Sequence, residues 1–219
     1  MKLKLPVLIF CIITMLFSGC SSKTTLDEYV SELRSNYYES VDSDLSITAG
    51  YGYTEKTPNL DGNITQKTYA LIFRLKDNPN ENITYNISLN FNGKEYKETF
   101  KLNAVSHTLS AILPVEGFNL SEFEVVLSYS STNKVIKMKS TLPDGTISHS
   151  KALEYLQKHQ SQLVNSYYAG GKFCAEISLR VLVKDNHPYW YIGMSNDKGT
   201  KALLIDGFSG EVLAVRDIF

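Results

Sequence analysis

Four histidines and three cysteines are among the side chains of this chain that could bind a metal or act as a base or nucleophile. Zinc sites hold such residues at short spacings, for example two histidines four positions apart on a helix. No histidine here has a second one four positions away, and none lies near a cysteine at such a spacing. The sequence therefore predicts no metal site at His107, His149, His159 or His187.

Ser148-His149-Ser150 places serine hydroxyls next to an imidazole. Adjacent residues at the start of a helix point in different directions, and a serine nucleophile needs a strained turn such as G-x-S-x-G, which the chain lacks. P-loop, G-x-G-x-x-G, H-E-x-x-H and EF-hand motifs are absent from the sequence too. We therefore predict serines that cap a helix, no catalytic residue and no cofactor.

Cys174 is a cysteine that could carry a reactive thiol. It lies between Phe173 and Ala175, and its closest basic neighbour in the sequence is Lys172. Apolar neighbours favour a small buried side chain over a reactive thiolate. We expect native protein to react slowly with thiol reagents, and a fast reaction would indicate the alternative.

The run His187-Pro188-Tyr189-Trp190-Tyr191 contains the only tryptophan of the chain. Alternate side chains of a β-strand point to opposite faces, so Trp190 lies on one face and both tyrosines on the other. An exposed tryptophan or tyrosine pair is typical of binding hot spots. Tyr189, Trp190 and Tyr191 are therefore the predicted partner surface, with packing in the core as the alternative.

The elements that position these residues are mostly strands. From about Leu45 to Leu142 apolar residues recur with a period of two, and Asn92-Gly93 lies between two such runs, which predicts a hairpin. Several short strands, each with one polar face, predict an antiparallel β-sandwich over residues 45–143. This pattern resembles that of immunoglobulin-like and fibronectin type III-like modules.

The segment before the sandwich has a helical pattern. Thr25-Leu26-Asp27-Glu28 is typical of a capping box, and Leu26, Tyr29, Val30, Leu33 and Tyr37 recur at helical spacing. We predict an amphipathic helix over roughly residues 26–39. It belongs to a segment, residues 20–44, that precedes the sandwich.

After Pro143-Asp144-Gly145 the pattern predicts one helix, capped by Ser148 or Ser150 and ending at Gly170-Gly171, and then an antiparallel meander. The predicted fold class is thus mainly β, with an α+β domain over residues 144–219.

Three motifs of this last third resemble those of PepSY-type domains. They are the opening Ile147-Ser148-His149-Ser150-Lys151-Ala152-Leu153, the aromatic strand Tyr189-Trp190-Tyr191-Ile192, and the closing hairpin from Leu204 to Leu213. The resemblance implies a small α+β module that occurs in protease propeptides and secreted envelope proteins, where it is thought to bind or restrain protein partners. It implies no catalytic residue.

The N-terminus has the features of a signal peptide, with Lys2 and Lys4 before an apolar run that is too short to span a membrane. Ser18-Gly19-Cys20 at its end resembles the lipobox of bacterial lipoproteins. The resemblance implies a signal peptide over residues 1–19, a lipid on Cys20, and a position at the cell membrane facing outside the cytoplasm. The alternative is an ordinary secretory signal that happens to contain a cysteine.

Removal of residues 1–19 would leave 20 basic and 23 acidic residues, a balance that argues against a nucleic-acid partner. The predicted function is a membrane-anchored, non-enzymatic binding or accessory module for a cell-envelope partner, either a protein or a cell-wall glycan. An inhibitor or chaperone-like regulator of a secreted peptidase is one alternative. A structural spacer without a dedicated ligand is the other.

Overall fold

The computed structural model of the chain describes residues 25–41, 45–55, 64–76, 80, 82–103 and 108–218. The predicted signal peptide, Cys20 and His107 lie outside these residues. None of the helices in the described ranges is long and apolar enough to cross a membrane. Strands dominate, which confirms the mainly β prediction.

The elements in chain order are a 3-10 turn Leu26–Tyr29, β1 Val30–Val41, β2 Ile47–Glu55, β3 Lys67–Leu75, β4 Tyr85–Phe91, β5 Lys94–Thr99, β6 Lys101–Asn103, β7 Thr108–Leu113, β8 Glu122–Tyr129, β9 Thr132–Ser140, α1 His149–His159, α2 Ser161–Asn165, β10 Tyr168–Ala169, β11 Lys172–Phe173, β12 Glu176–Lys184, β13 His187–Asn196, β14 Gly199–Asp206 and β15 Val212–Ile218.

The predicted helix over residues 26–39 is wrong, because only the 3-10 turn is helical and β1 follows it directly. The register of β1 against β2 shifts between Arg34 and Asn36, which marks a β-bulge. Leu33 before the bulge and Tyr38 after it are both buried although they are an odd number of residues apart. The bulge therefore interrupts the alternation of buried and exposed residues by which a strand is recognised in a sequence.

Strand β1 connects the two parts of the fold because it pairs with three strands, β2, β9 and β12. One edge pairs with β2, antiparallel. The other edge pairs with β12, parallel, over Val30–Arg34 and then with β9, antiparallel, over Tyr38–Val41. The described strands from β1 to β9 and from β12 to β15 therefore form one continuous 13-stranded sheet.

The first part of this sheet folds into two facing layers, β1–β2–β3–β7–β6 and β9–β8–β4–β5. The layers join through β1 and β9, and the chain passes from β5 to β6 at Phe100, whose N–H donates to the carbonyl oxygen of Tyr85. The sheet is consequently nearly closed. An aromatic cluster lies between the layers, with the ring of Phe123 5.0 Å from Tyr38 and 4.8 Å from Phe118.

The hairpin predicted at Asn92-Gly93 is confirmed. Both turn residues have positive φ, 51° and 73°, as a tight hairpin requires. The register pairs Leu89 with Tyr96 across β4 and β5.

In the second part, helix α1 packs on the antiparallel meander β12–β13–β14–β15. Ser148 caps α1 by accepting a hydrogen bond from the N–H of Lys151, so the capping prediction is confirmed. The helix ends earlier than predicted, at His159, and the short helix α2 and the β10–β11 hairpin follow before β12. Ala152, Leu153 and Leu156 form the buried stripe of α1.

Strand β1 contributes to two hydrophobic cores. Tyr38 belongs to the core between the facing layers, whereas Val30 and Leu33 belong to the core under α1. Tyr53 of β2 also lies in the second core. The domain boundary predicted near residue 144 stays a prediction, since the strand pairing runs across both parts.

Candidate functional site

The structure separates the three aromatic residues of the predicted partner surface. The side chain of Trp190 is 2% exposed, packs in the core under α1, and donates its Nε1–H to the carbonyl oxygen of Ile147 at 3.0 Å. Trp190 therefore packs in the core and fastens β13 to the segment before α1. Tyr189 and Tyr191 are half-buried on the opposite face.

This opposite face extends over several strands. Tyr191 pairs directly with Arg180 on β12 and with Leu204 on β14, and Tyr189 pairs with Leu182 on β12. We call the side of β15, β14, β13, β12, β1, β2 and β3 that carries Tyr191 the open face, because in the described part of the chain no helix or second layer packs on it. Its centre consists of Glu32, Arg34, Arg180, Leu182, Tyr189 and Tyr191.

A row of aromatic rings runs along β13 at one end of the open face. The ring of His187 lies 4.8 Å from that of Tyr189 and 5.0 Å, edge to face, from that of Phe208. Nε2 of His187 contacts Oδ2 of Asp206. The ring of His187 is thus fixed from three sides.

Asp206 holds the turn that follows β14. Its Oδ1 accepts hydrogen bonds from the N–H groups of Phe208 at 2.9 Å and Ser209 at 2.8 Å. The hydrogen bond from the Ser209 backbone, together with those from His187 and Phe208, lowers the pKa of Asp206 from 3.8 to about 2. The carboxylate is therefore ionised at neutral pH and is occupied by its own turn.

Two glycines of the open face lie beneath tyrosine rings. A Cβ atom built on Gly193 would be 3.5 Å from the ring of Tyr191, and one built on Gly50 would be 3.2 Å from the ring of Tyr37. Aromatic rings that cover glycines in a sheet replace the packing that a glycine lacks. The rings thus lie along the sheet rather than standing away from it.

Directly paired residues of neighbouring strands share a face, and so do residues two apart in one strand. By this rule the register places all four arginines of the chain, Arg34, Arg74, Arg180 and Arg216, on the open face. The pKa of Arg34 is lowered chiefly by burial, and the charges of Arg180 and Arg74 contribute to the same direction. These guanidinium groups are therefore close enough to repel one another.

Glu32 bridges the two central arginines. Its carboxylate lies 3.6 Å from Nη2 of Arg34 and 3.2 Å from Nη2 of Arg180. Nη1 of Arg34 also donates to the carbonyl oxygens of Leu33 and Tyr53, each at 3.0 Å. One carboxylate thus serves two guanidinium groups, and the centre of the open face retains a net positive charge.

Comparisons of the chain with protein-family models, with curated proteins and with solved structures found no match. The site is therefore defined by its geometry. Within the described residues, no three histidine, cysteine, aspartate or glutamate side chains are placed to hold a metal ion.

The other residues considered for chemistry lie apart from the open face. Cys174 is half-buried, and its Sγ–H donates to the carbonyl oxygen of Lys172 at 3.4 Å. His149 lies at the start of α1, with its ring 6.3 Å from that of Trp190, and burial lowers its pKa. Its Nε2 is 3.8 Å from a carboxylate oxygen of Asp27.

A buried polar cluster near His149 had not been predicted. Oε2 of the buried Glu55 accepts hydrogen bonds from the backbone N–H and the hydroxyl of Thr65. Nearby, Nζ of Lys67 donates to the hydroxyl of Tyr53 at 3.2 Å, and burial raises the pKa of Tyr53 to about 12. The cluster fastens the ends of β2 and β3 to each other.

The arginines of the open face had also not been predicted. Part of the signal was present, because Arg74 and Arg180 each lie between two apolar residues, as in Leu179-Arg180-Val181, whereas Arg34 and Arg216 are each followed by a polar residue. An arginine at such a place must point away from the core, to the other face of its strand. Whether the four arginines share one face of the sheet depends on the order of the strands, which cannot be read from the sequence.

Proposed function

We propose that this chain is an extracytoplasmic lipoprotein that is anchored to the cell membrane through Cys20 and binds a cell-envelope partner on its open face without catalysing a reaction. The observation that carries the binding part of the proposal is the open face, a broad sheet surface on which tyrosine, arginine and leucine side chains lie together. Tyr189 and Tyr191, predicted from the sequence as partner contacts, are on it.

The composition of this face supports binding. Leu182 is 43% exposed and lies directly beside Tyr189, while Arg180 is its neighbour two residues away on the same strand. Exposed apolar side chains that are contiguous with tyrosine and arginine are typical of interaction sites. A spacer without a ligand would have no need for such a patch.

The contacts of His187 and Asp206 support a role other than catalysis. This pair is the arrangement on the open face that most resembles part of a hydrolase triad. Asp206 is used by its own turn, and the ring of His187 packs against Tyr189 and Phe208. A catalytic base would need a nucleophile within hydrogen-bond reach of the free ring nitrogen, and no serine or cysteine contact to His187 occurs in the described residues.

For residues 144–219 we propose a PepSY-like module. One helix packed across an antiparallel meander supports this assignment. The parallel pairing of β12 with β1 is an addition that joins the module to the preceding strands.

The anchor is tested by Cys20→Ser. We expect the variant to be released into the medium or to remain unprocessed, because acyl chains on this cysteine would supply the attachment to the membrane. Fractionation of cells that express the full chain measures this. A variant that is processed and still bound to the membrane would refute the anchor.

Binding is tested by chemical crosslinking in cells with Leu182→Glu, which places a charge at the centre of the open face. The matched control is Val135→Glu on β9, where the wild-type side chain is 62% exposed and belongs to neither core. We expect the crosslinked species seen with wild type to disappear in the first variant and to persist in the second. Equal loss or equal retention in both would refute the open face as the binding site.

A further inference from the structure

We infer that the partner on the open face is a protein that presents aspartate or glutamate side chains to Arg180 and its neighbouring arginines. This inference rests on the proposed function and names the chemistry of the partner. It follows from which basic side chains occupy the face, how they are paired, and what lies beside them.

The choice of basic residue favours a protein partner. The chain has 22 lysines and arginines, and all four arginines are on the open face, whereas described lysines also lie on β5, β9 and α1, as Lys97, Lys137 and Lys151 do. Interfaces between proteins are enriched in arginine and tyrosine and depleted in lysine. Arginine is suited to them because its guanidinium group is weakly hydrated, stacks on aromatic rings and binds carboxylates through two parallel hydrogen bonds.

The pairing of charges leaves capacity for an additional carboxylate. Glu32 forms ion pairs with both Arg34 and Arg180. Arg34 also donates hydrogen bonds to two backbone carbonyl oxygens, those of Leu33 and Tyr53. The side chain of Arg180 is 49% exposed, and among the described residues it makes one ion pair, with Glu32. A guanidinium group has five N–H donors, so Arg180 can bind a carboxylate of a partner while it keeps its ion pair with Glu32.

The local charge is opposite in sign to that of the whole chain. The formal net charge of the chain is −1, yet two central arginines share one carboxylate and Arg74 lies near enough to Arg34 to lower its pKa. Such a separation of charge steers an acidic surface toward the open face and disfavours binding elsewhere.

The apolar side chains beside the arginines distinguish a protein from a polyanionic polymer. Leu182 pairs directly with Tyr189, and Leu204 pairs directly with Tyr191, so both flank the aromatic row. A phosphate-rich polymer or lipid headgroup would gain nothing from these leucines, whereas a protein interface has an apolar centre with polar groups around it. Tyr191 lies between Leu204 and Arg180, so it adjoins both an apolar and a charged side chain.

The test is photo-crosslinking in cells with the full chain and a benzoylphenylalanine at position 182. Position 135 carries the photo-crosslinker in the control. The adduct is digested and its attachment site is mapped by mass spectrometry. The same experiment is repeated in the Arg180→Gln and Arg180→Lys backgrounds, and thermal melting shows whether each variant is folded. Arg216→Gln is a second charge variant at the far edge of the face.

We expect a protein adduct from position 182, absent from position 135, that maps beside aspartate or glutamate residues. Its yield should fall about tenfold in Arg180→Gln, less in Arg180→Lys, and should recover when Arg180→Glu is combined with an arginine at the mapped acidic residue. An adduct with a glycan, a phosphate polymer or a lipid would overturn the inference but leave the proposed binding function in place. The same holds for a protein adduct that is indifferent to Arg180 and Arg216. No adduct from position 182 would overturn both.

Discussion

Asp206→Asn tests whether an ionised carboxylate stabilises the turn beside the aromatic row. The substitution keeps the oxygen that accepts from the N–H groups of Phe208 and Ser209 and removes the negative charge. The side chain is 15% exposed, so the shielding of its charge by solvent is limited. We expect the variant to be less stable than wild type at pH 7.

The magnitude follows from the pKa of Asp206. That pKa is lowered from 3.8 to about 2, and one pKa unit corresponds to about 1.4 kcal/mol, so ionisation stabilises the fold by roughly 2 kcal/mol. The sign follows from proton binding, because the unfolded chain protonates this carboxylate more readily than the folded chain does. The stabilisation is complete above about pH 5 and is lost as the pH falls from there toward 2.

The assay is urea unfolding of wild type and variant at several pH values between 7 and 2. The difference in the free energy of unfolding should be roughly 2 kcal/mol at pH 7 and should shrink steadily below pH 4. Asp217→Asn is the control, since Asp217 forms an exposed ion pair with Lys201, of a type that contributes at most about 1 kcal/mol. A difference that stays constant from pH 7 to pH 2 would refute the assigned role of the charge.

Three further substitutions have definite outcomes. Trp190→Phe removes the donor to the carbonyl oxygen of Ile147 and should lower the free energy of unfolding by about 1–3 kcal/mol, measured by urea titration. Gly52→Ala brings a Cβ atom into collision with the backbone carbonyl oxygen of Leu33 and should lower the free energy of unfolding by about 3 kcal/mol or more, measured by thermal melting. His149→Gln should flatten the pH dependence of stability below pH 6.5, because burial lowers the pKa of His149 and the unfolded chain therefore binds the proton first.

Each of these has a matched control in the chain. Tyr189→Phe removes a hydroxyl from the open face and should change stability by less than about 0.5 kcal/mol. A Cβ atom on Gly193 meets the hydroxyl of Ser178, which can rotate away, so Gly193→Ala should cost less than Gly52→Ala. His159 stacks on Tyr155 at the other end of α1, and His159→Gln is the control for the third substitution. A control that matches its test variant would contradict the corresponding argument.

Features with a strong local cause could be predicted from the sequence. The hairpin at Asn92-Gly93 requires positive φ at both positions, and few other residue pairs adopt such a turn. The start of α1 depends on Ser148 and the N–H groups just after it. In both cases the residues that decide the structure are neighbours in the chain.

Strand β1 could not be predicted in the same way. Its bulge interrupts the period of two, and its parallel partner β12 begins at a residue nearly 150 positions later in the chain. Pairing across such a distance decides the structure of β1, and the helical spacing of Leu26, Val30 and Leu33 has no influence on it.

The candidate site was predicted in part for the same reason. Alternation along β13 correctly separates Trp190 from its two tyrosine neighbours, since that rule needs only one strand. The arginines of β12, β1 and β3 lie close together only because the strand order is β12–β1–β2–β3. This order arises from the parallel pairing of β1 with β12. A surface made by several strands is visible only when their order is known.

The position of β1 also has a mechanical consequence. Under the proposed anchoring, only nine residues separate Cys20 from the first residue of β1, so tension from the membrane would act along this strand. Because β1 is hydrogen-bonded on both edges, to β2 on one and to β12 and β9 on the other, such a force would load many backbone hydrogen bonds in shear at once. A strand at the edge of the sheet would instead peel away one bond at a time. The proposed tether would thus pull on a strand that is held on both edges, and both cores would bear the load together.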